Sequence, residues 1–131
     1  MKVNGLGSID IAVSGLRAQG KSMELISSNV ANAQTTDNGN GKPYRRVEAA
    51  FKADKNGRVY VDNVTEDMSD FTRILKPGNP NADAQGYVSM PNVSVPIEMM
   101  NLNTATRAYQ ANAAVLKRYQ NMMETTLELL K

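Results

Sequence analysis

The chain has 131 residues and contains no cysteine, histidine or tryptophan. Without cysteine there are no disulfide staples and no thiolate chemistry. Without histidine the commonest general base and the commonest metal ligand are both missing, so Ser-His-Asp, Cys-His and ordinary zinc sites are excluded. Aromatic residues make up only 5% of the chain. No apolar run approaches the roughly eighteen residues of a membrane span. The start, Met1 to Ser8, holds no apolar stretch long enough for a secretory leader, and the expectation is a chain made in the cytoplasm without membrane insertion. The formal net charge is only +2. The cations Lys42, Arg45, Arg46, Lys52, Lys55 and Arg58 cluster, but Glu48 and Asp54 interrupt them, and an acidic block follows at Asp62, Glu66, Asp67 and Asp70. A patch of each sign suits contact between subunits better than phosphate binding. The alternative it leaves open is a nucleic-acid-binding coiled coil.

What is present is heptad arithmetic at both ends. Ile9, Leu16, Met23 and Val30 recur every seven residues, as do Leu102, Tyr109, Leu116, Met123 and Leu130. This predicts a mainly α fold in which two long terminal helices form an antiparallel coiled coil around a small insert containing a β-hairpin. The expected organisation is an N-terminal helix over residues 1–34, an insert over 35–95 and a C-terminal helix over 96–131. Ser8 reads as the first N-cap, and Asn29 or Asn32 as a left-handed C-cap. Gly15 and Gly20 cost about 1 kcal/mol each in an exposed helix, so another backbone is expected close to them. The second helix is expected to begin at Ser94 to Pro96, since proline suits a first turn. Its seam is Leu102, Ala105, Tyr109, Asn112, Leu116, Tyr119, Met123, Thr126 and Leu130.

The insert has a different texture. Thr35 to Pro43 is turn material, Val47, Ala49 and Phe51 alternate with polar residues, and Asp54-Lys55-Asn56-Gly57 supplies an Asn-Gly turn into a return strand over 58–62. Thr72 to Leu75 and Gly86 to Met90 read as further short strands. Asn38 to Lys42 resembles a phosphate loop superficially, but Pro43 stands where Ser or Thr is required. Glu66, Asp67 and Asp70 read as a solvated acidic face. No nucleophile, base, cofactor site or small-molecule substrate site is identifiable, so the chain is expected not to be an enzyme.

Charge is distributed unevenly. Residues 8–33 carry only Asp10, Arg17, Lys21 and Glu24, and the C-terminal helix only Glu98, Arg107, Lys117, Arg118, Glu124, Glu128 and Lys131, while the insert is densely charged. Helices with small neutral polar faces suit surroundings of other helices, where each buried charge would need a partner. The expectation is a building block whose terminal helices pack together and against other subunits. Within one subunit Leu116 and Met123 are expected to meet Leu16 and Met23, while Ile26, Tyr109 and Tyr119 bond neighbours. Met99, Met100, Met122 and Met123 offer either an adaptable face or core filling.

Four segments carry a resemblance. Ile26-Ser27-Ser28-Asn29-Val30-Ala31-Asn32 with Thr35, and then Lys42-Pro43-Tyr44-Arg45-Arg46, resemble the N-terminal region of bacterial flagellar rod and hook proteins. Gly86 to Val93 leading to Glu98-Met99 resembles the proximal rod members of that family, and Thr106 to Asn112 their common C-terminal motif. The resemblance implies a structural subunit, exported by the flagellar type III apparatus without a cleaved signal. It implies helical assembly with copies of itself and other rod proteins into the rod that crosses the periplasm and transmits torque. The terminal helices would then surround the export channel. The candidate assembly residues are Leu16, Met23, Ile26, Asn29, Val30, Asn32, Leu102, Tyr109, Asn112, Leu116, Tyr119 and Met123. Another axial component of the same family is the nearest alternative.

Overall fold

A computed structural model describes the backbone of residues 5–131 and side chains from Gly7 onward. The reading of the first four residues as leader-free lies outside the described residues. Two helices flank two antiparallel hairpins, in the order α1 (Gly5–Ala31), β1 (Val47–Ala53), β2 (Val59–Glu66), β3 (Thr72–Leu75), β4 (Tyr87–Met90) and α2 (Val95–Leu129). None of the described helices is long and apolar enough to cross a membrane.

α1 begins before Ser8, which lies inside the helix rather than at its cap. It ends without a left-handed residue, since none of the described residues other than glycine has positive φ. Instead the Asn32 amide Nδ2 donates to the Ser28 carbonyl at 2.8 Å. The Asn32 backbone N–H donates to the same carbonyl at 3.0 Å, so Asn32 closes the helix with two bonds to one oxygen. The buried positions of α1 are Ala12, Ala18, Ile26 and Asn29. Leu16, Met23 and Val30, the expected seam, are half-buried beside them. The reason is the closeness of α2. A Cβ built on Gly15 would fall 2.6 Å from Asn112 Nδ2, so small residues occupy the line of nearest approach and larger ones flank it. Gly20 has nothing within 4 Å, so the expected close neighbour exists at Gly15 and not there.

This contact gives a sign-reversing prediction. Gly15→Ala gains about 1 kcal/mol of helix propensity. It also forces the Asn112 amide from its 3.1 Å bond to the Ala108 carbonyl, an overpacking cost of about 1–3 kcal/mol. Thermal melts should show Gly15→Ala destabilising in the natural chain and stabilising in an Asn112→Ala background.

The first hairpin pairs Val47 with Glu66 through Ala53 with Val59, with a bulge that leaves Asp62 unmatched opposite Ala50 and Phe51. Both strands run longer than their apolar alternation indicated. The connection is a loop over 54–58 and not a two-residue Asn-Gly turn. Asp54 Oδ1 accepts the N–H groups of Asn56 at 2.8 Å and Arg58 at 3.0 Å, and Gly57 supplies the positive φ of 83°. The hairpin lies along α1, where the Val59 N–H donates to Ser14 Oγ at 3.0 Å. Only Val47, Ala49, Val59 and Val61 are partly covered, and Phe51 is exposed. β3 pairs with β4, and Asp83 orders the connection by accepting the N–H groups of Gln85 and Tyr87, each at 2.9 Å. The second hairpin contributes Val88 and Met90 to the core. The larger buried side chains therefore sit where α1 ends, the hairpins begin and α2 starts, and along the helices beyond that only Ala12, Ala18 and Ala105 are buried among the described residues.

Candidate functional site

At that junction two polar side chains, Asn29 and Glu98, are completely buried. Asn29 is on the last turns of α1, Glu98 is in the first turn of α2, and the segment entering β1 bonds to both. The Asn29 amide is fully used. Its Oδ1 accepts the Tyr44 hydroxyl at 2.9 Å and the Val47 N–H at 3.0 Å, while its Nδ2 donates to the Val47 carbonyl at 2.8 Å and to Glu98 Oε2 at 3.1 Å. Asn29 thus imitates a strand neighbour for Val47, which ties the first hairpin to α1.

Glu98 takes its second partner from Arg46, whose Nε donates to Glu98 Oε1. The same guanidinium reaches Glu48 at 2.9 Å and Asp67 at 3.4 Å. Burial works against the Arg46 charge, but its bonds to Glu98 and Glu48 outweigh that and hold its pKa above the ordinary value. The position of Glu98 near a helix N-terminus also suits a negative charge. Asn92 completes the arrangement. Its Oδ1 accepts the Arg46 N–H at 2.8 Å, and its Nδ2 donates to the Asp67 carbonyl at 2.8 Å. Arg45 donates to the carbonyls of Asp67 and Ser69 and lies 4.1 Å over the Phe71 ring. Among the described residues no buried side-chain polar atom lacks a partner. A fully satisfied network of this kind is directional: it fixes how the hairpins and α2 leave the end of α1.

The expected assembly residues divide accordingly. Asn29 is the centre of the joint and Asn32 closes α1 beside it. Ile26 is buried within this chain, with 7% of its surface exposed. That corrects its expected role in bonding neighbours, because its face of α1 is already covered. Leu102, Asn112, Leu116 and Tyr119 are half-buried on α2. Tyr109 and Met123 are open, at 41% and 56% exposure. Every residue from Gln120 to Lys131 is exposed, including Met122, Leu127, Leu129 and Leu130. Met123 therefore presents its surface outward.

Sequence reasoning missed Tyr44, Arg46, Asn92 and Glu98 as a unit. The available signal was Glu98 itself, a lone acid at the start of a helix with few charges. The basic cluster over 42–58 is largely engaged within the chain: Arg46 as above, Lys52 with Asp62 at 2.9 Å and Arg58 with Asp54 at 2.8 Å. That leaves little positive charge for a phosphate backbone.

Three aspartates are held below the usual carboxylate range. The Ser69 N–H and hydroxyl lower Asp67, with Arg46 adding to them. The Tyr87 N–H, then that of Gln85 and the Arg73 charge, lower Asp83. Burial pushes Asp54 up, but the Arg58 guanidinium and the N–H groups of Asn56 and Arg58 bring it down. Each folded pKa is lower than the unfolded one, so the stabilisation is present above the unfolded value of about 4 and is lost as pH falls through the folded values. The melting temperature should be flat above that pH and drop below it, and Asp67→Asn should flatten the drop. A melting temperature independent of pH down to the acid limit would contradict this.

Residues 9–37 match the family described as flagella basal body rod protein, and residues 84–129 match the flagellar basal body rod FlgEFG protein C-terminal family. Curated relatives match nearly end to end. The flagellar basal-body rod protein FlgC of Salmonella typhimurium is 43% identical over 95% of this chain and 96% of its own length. FlgC of Aquifex aeolicus is 37% identical over 95% and 96%, and FlgC of Bacillus subtilis 34% identical over 95% and 97%. The matched segments include Asn29, Asn92 and Glu98, and the relatives span the whole joint. The chain belongs to the FlgC family of flagellar basal-body rod proteins.

Proposed function

We propose that this chain is a structural subunit of the flagellar basal-body rod, working by assembly and not by catalysis. The observation that carries this reading is the open apolar surface of α2 beyond Tyr119, with Leu127 at 61% and Leu130 at 78% exposure, on a helix whose other end is locked into a buried polar joint. Such a surface on an isolated chain is costly to leave in water and is suited to burial against neighbours. The family relation supports the rod as the place where it is covered.

The finer reading is the proximal rod. The terminal helices pair antiparallel and form one coiled-coil unit, with the insert over 35–95 as a second unit outside it. Two contacts support that pairing: Gly15 faces Asn112, and Asn29 bonds Glu98, so fourteen steps up α1 match fourteen steps down α2. Copies of the chain and other rod proteins stack helically, the helices line the export channel, and the hairpins stand outside. Torque then passes along α2 into the joint at Arg46 and Glu98, where directional bonds resist shear. Export by the flagellar type III apparatus, without a cleaved signal, delivers the subunit to the rod across the periplasm. The test is complementation. A motile bacterium deprived of its own subunit of this type should regain swimming with this chain, and its isolated basal bodies should contain it. Normal expression with the chain absent from basal bodies would contradict the proposal.

A further inference from the structure

Between α1 and β2 lies an open groove of about 560 Å³. Val13, Ala18 and Tyr60 give it an apolar floor and wall, and Arg17, Lys21 and Arg58 line it together with the acids Asp10 and Asp54. Tyr60, a large aromatic, is 46% exposed there. Lys21 bonds Glu24 and Arg58 bonds Asp54, while Arg17 makes no ion pair among the described residues. We infer that this groove seats the C-terminal end of α2 from a second copy of the chain, an inference that rests on the assembly reading above and names the contact that carries it.

Three observations select that occupant. The first is chemistry. Met123, Leu127 and Leu130 are exposed at spacings of four and three, so they form one apolar stripe. Glu124 and Glu128, four apart, border the stripe, and neither makes an ion pair among the described residues. Apolar floor meets apolar stripe, and Arg17 meets a bordering carboxylate. Arg58 and Lys21 are already paired, with Asp54 and Glu24, so Arg17 is the lining cation that makes no ion pair among the described residues.

The second is length. From Asp10 to Lys21 the groove follows α1 for roughly 17 Å, and the exposed end of α2 from Gln120 to Leu129 is roughly 14 Å long. The third is reach. α2 is one uninterrupted helix to Leu129 and packs on α1 at Gly15, while the groove is on the side facing β2 at Ser14. A chain cannot fold its own rigid end into its own groove, so the occupant comes from another copy. The resulting contact joins two different surfaces, tail to groove. A contact of that type does not close on itself in a dimer and propagates into a ring or an open helical stack.

The absence of cysteine allows a clean test. Arg17→Cys and Leu127→Cys, singly and together, are expressed in place of the native rod subunit, and isolated basal bodies are treated with a mild oxidant. The double variant should give a ladder of disulfide-linked oligomers, and each single variant should give none. Lys21→Cys with Glu128→Cys is a second pair on the same surfaces, with the same expected ladder, in case the first impairs incorporation. Basal bodies that contain the variants without a ladder from either pair would overturn the inference and leave the assembly reading standing. Linkage from Leu127→Cys alone would replace it with a tail-to-tail contact, and a fast-migrating linked monomer would show that the chain fills its own groove. Natural chain missing from basal bodies would remove both readings.

Discussion

Glu98→Ala should destabilise the chain by about 3–5 kcal/mol, because it breaks a buried charge pair by removing one member. Arg46 would keep its charge with only 16% of its side chain exposed, leaning on Glu48 and Asp67, which sit nearer the surface. Asn29 Nδ2 would lose one of its two acceptors. Denaturant unfolding of the purified chain, followed by circular dichroism, checks this directly. Glu98→Gln should cost less, since it retains an acceptor for the guanidinium and gives up only the charge. The informative partner is Glu98→Leu with Arg46→Met. Removing both charges leaves no buried charge unpaired and only one Asn29 N–H without its acceptor, so the double variant should cost less than Glu98→Ala, as apolar replacements of a buried pair are often close to neutral. If the double variant is stable but does not support rod formation, the joint serves geometry. A Glu98→Ala chain that unfolds at the natural midpoint would show that the joint is not a source of stability.

Leu127→Asp should have the opposite profile. At 61% exposure Leu127 contributes little to the isolated fold, so the variant should match the natural chain in helix content and midpoint. In the rod the same side chain would place an unpaired carboxylate against an apolar surface, a cost of several kcal/mol repeated at every copy. Complemented cells should lose swimming, and basal bodies should lack the chain. Swimming at the natural rate would mean that the open end of α2 faces water in the assembled rod as well.

The two variants separate properties that the sequence shows unequally. The extents of α1 and α2 were legible because apolar periodicity runs through both, and Pro96 marks a first turn. The presence of the first hairpin was legible from alternation and the turn residues Asp54 to Gly57, but not its length to Glu66 or its loop over 54–58. The centre of the helix interface was not. Apolar periodicity identifies a face and draws attention to its bulky members, Leu16, Met23 and Val30. Close approach is set by the small ones, and only the Gly15–Asn112 contact reveals which line is nearest. Ile26 illustrates the same limit, since apolar character alone does not say whether a neighbouring element or a neighbouring subunit covers it.

The joint was illegible for a different reason. Each member has a common local explanation: Asn29 as a helix-ending residue, Arg46 as part of a solvated basic cluster, Asn92 as a turn residue after Pro91, Glu98 as a favourable charge in a first turn. They are 17 to 69 residues apart from Asn29, and no spacing rule links them. The resemblance to rod proteins did mark the segments that contain them, without indicating that they meet. It did so because the segments that converge on the joint are the ones that resemble the family.

The central claim is that a rigid polar joint presents the far end of α2 to neighbouring subunits. Imaging of assembled rods at side-chain resolution tests it most directly. The account predicts the Asn29–Glu98–Arg46 bonds intact in every copy and Met123, Leu127 and Leu130 covered by adjacent subunits. Rods in which those three side chains face open solvent, or in which the joint is dismantled on assembly, would contradict it.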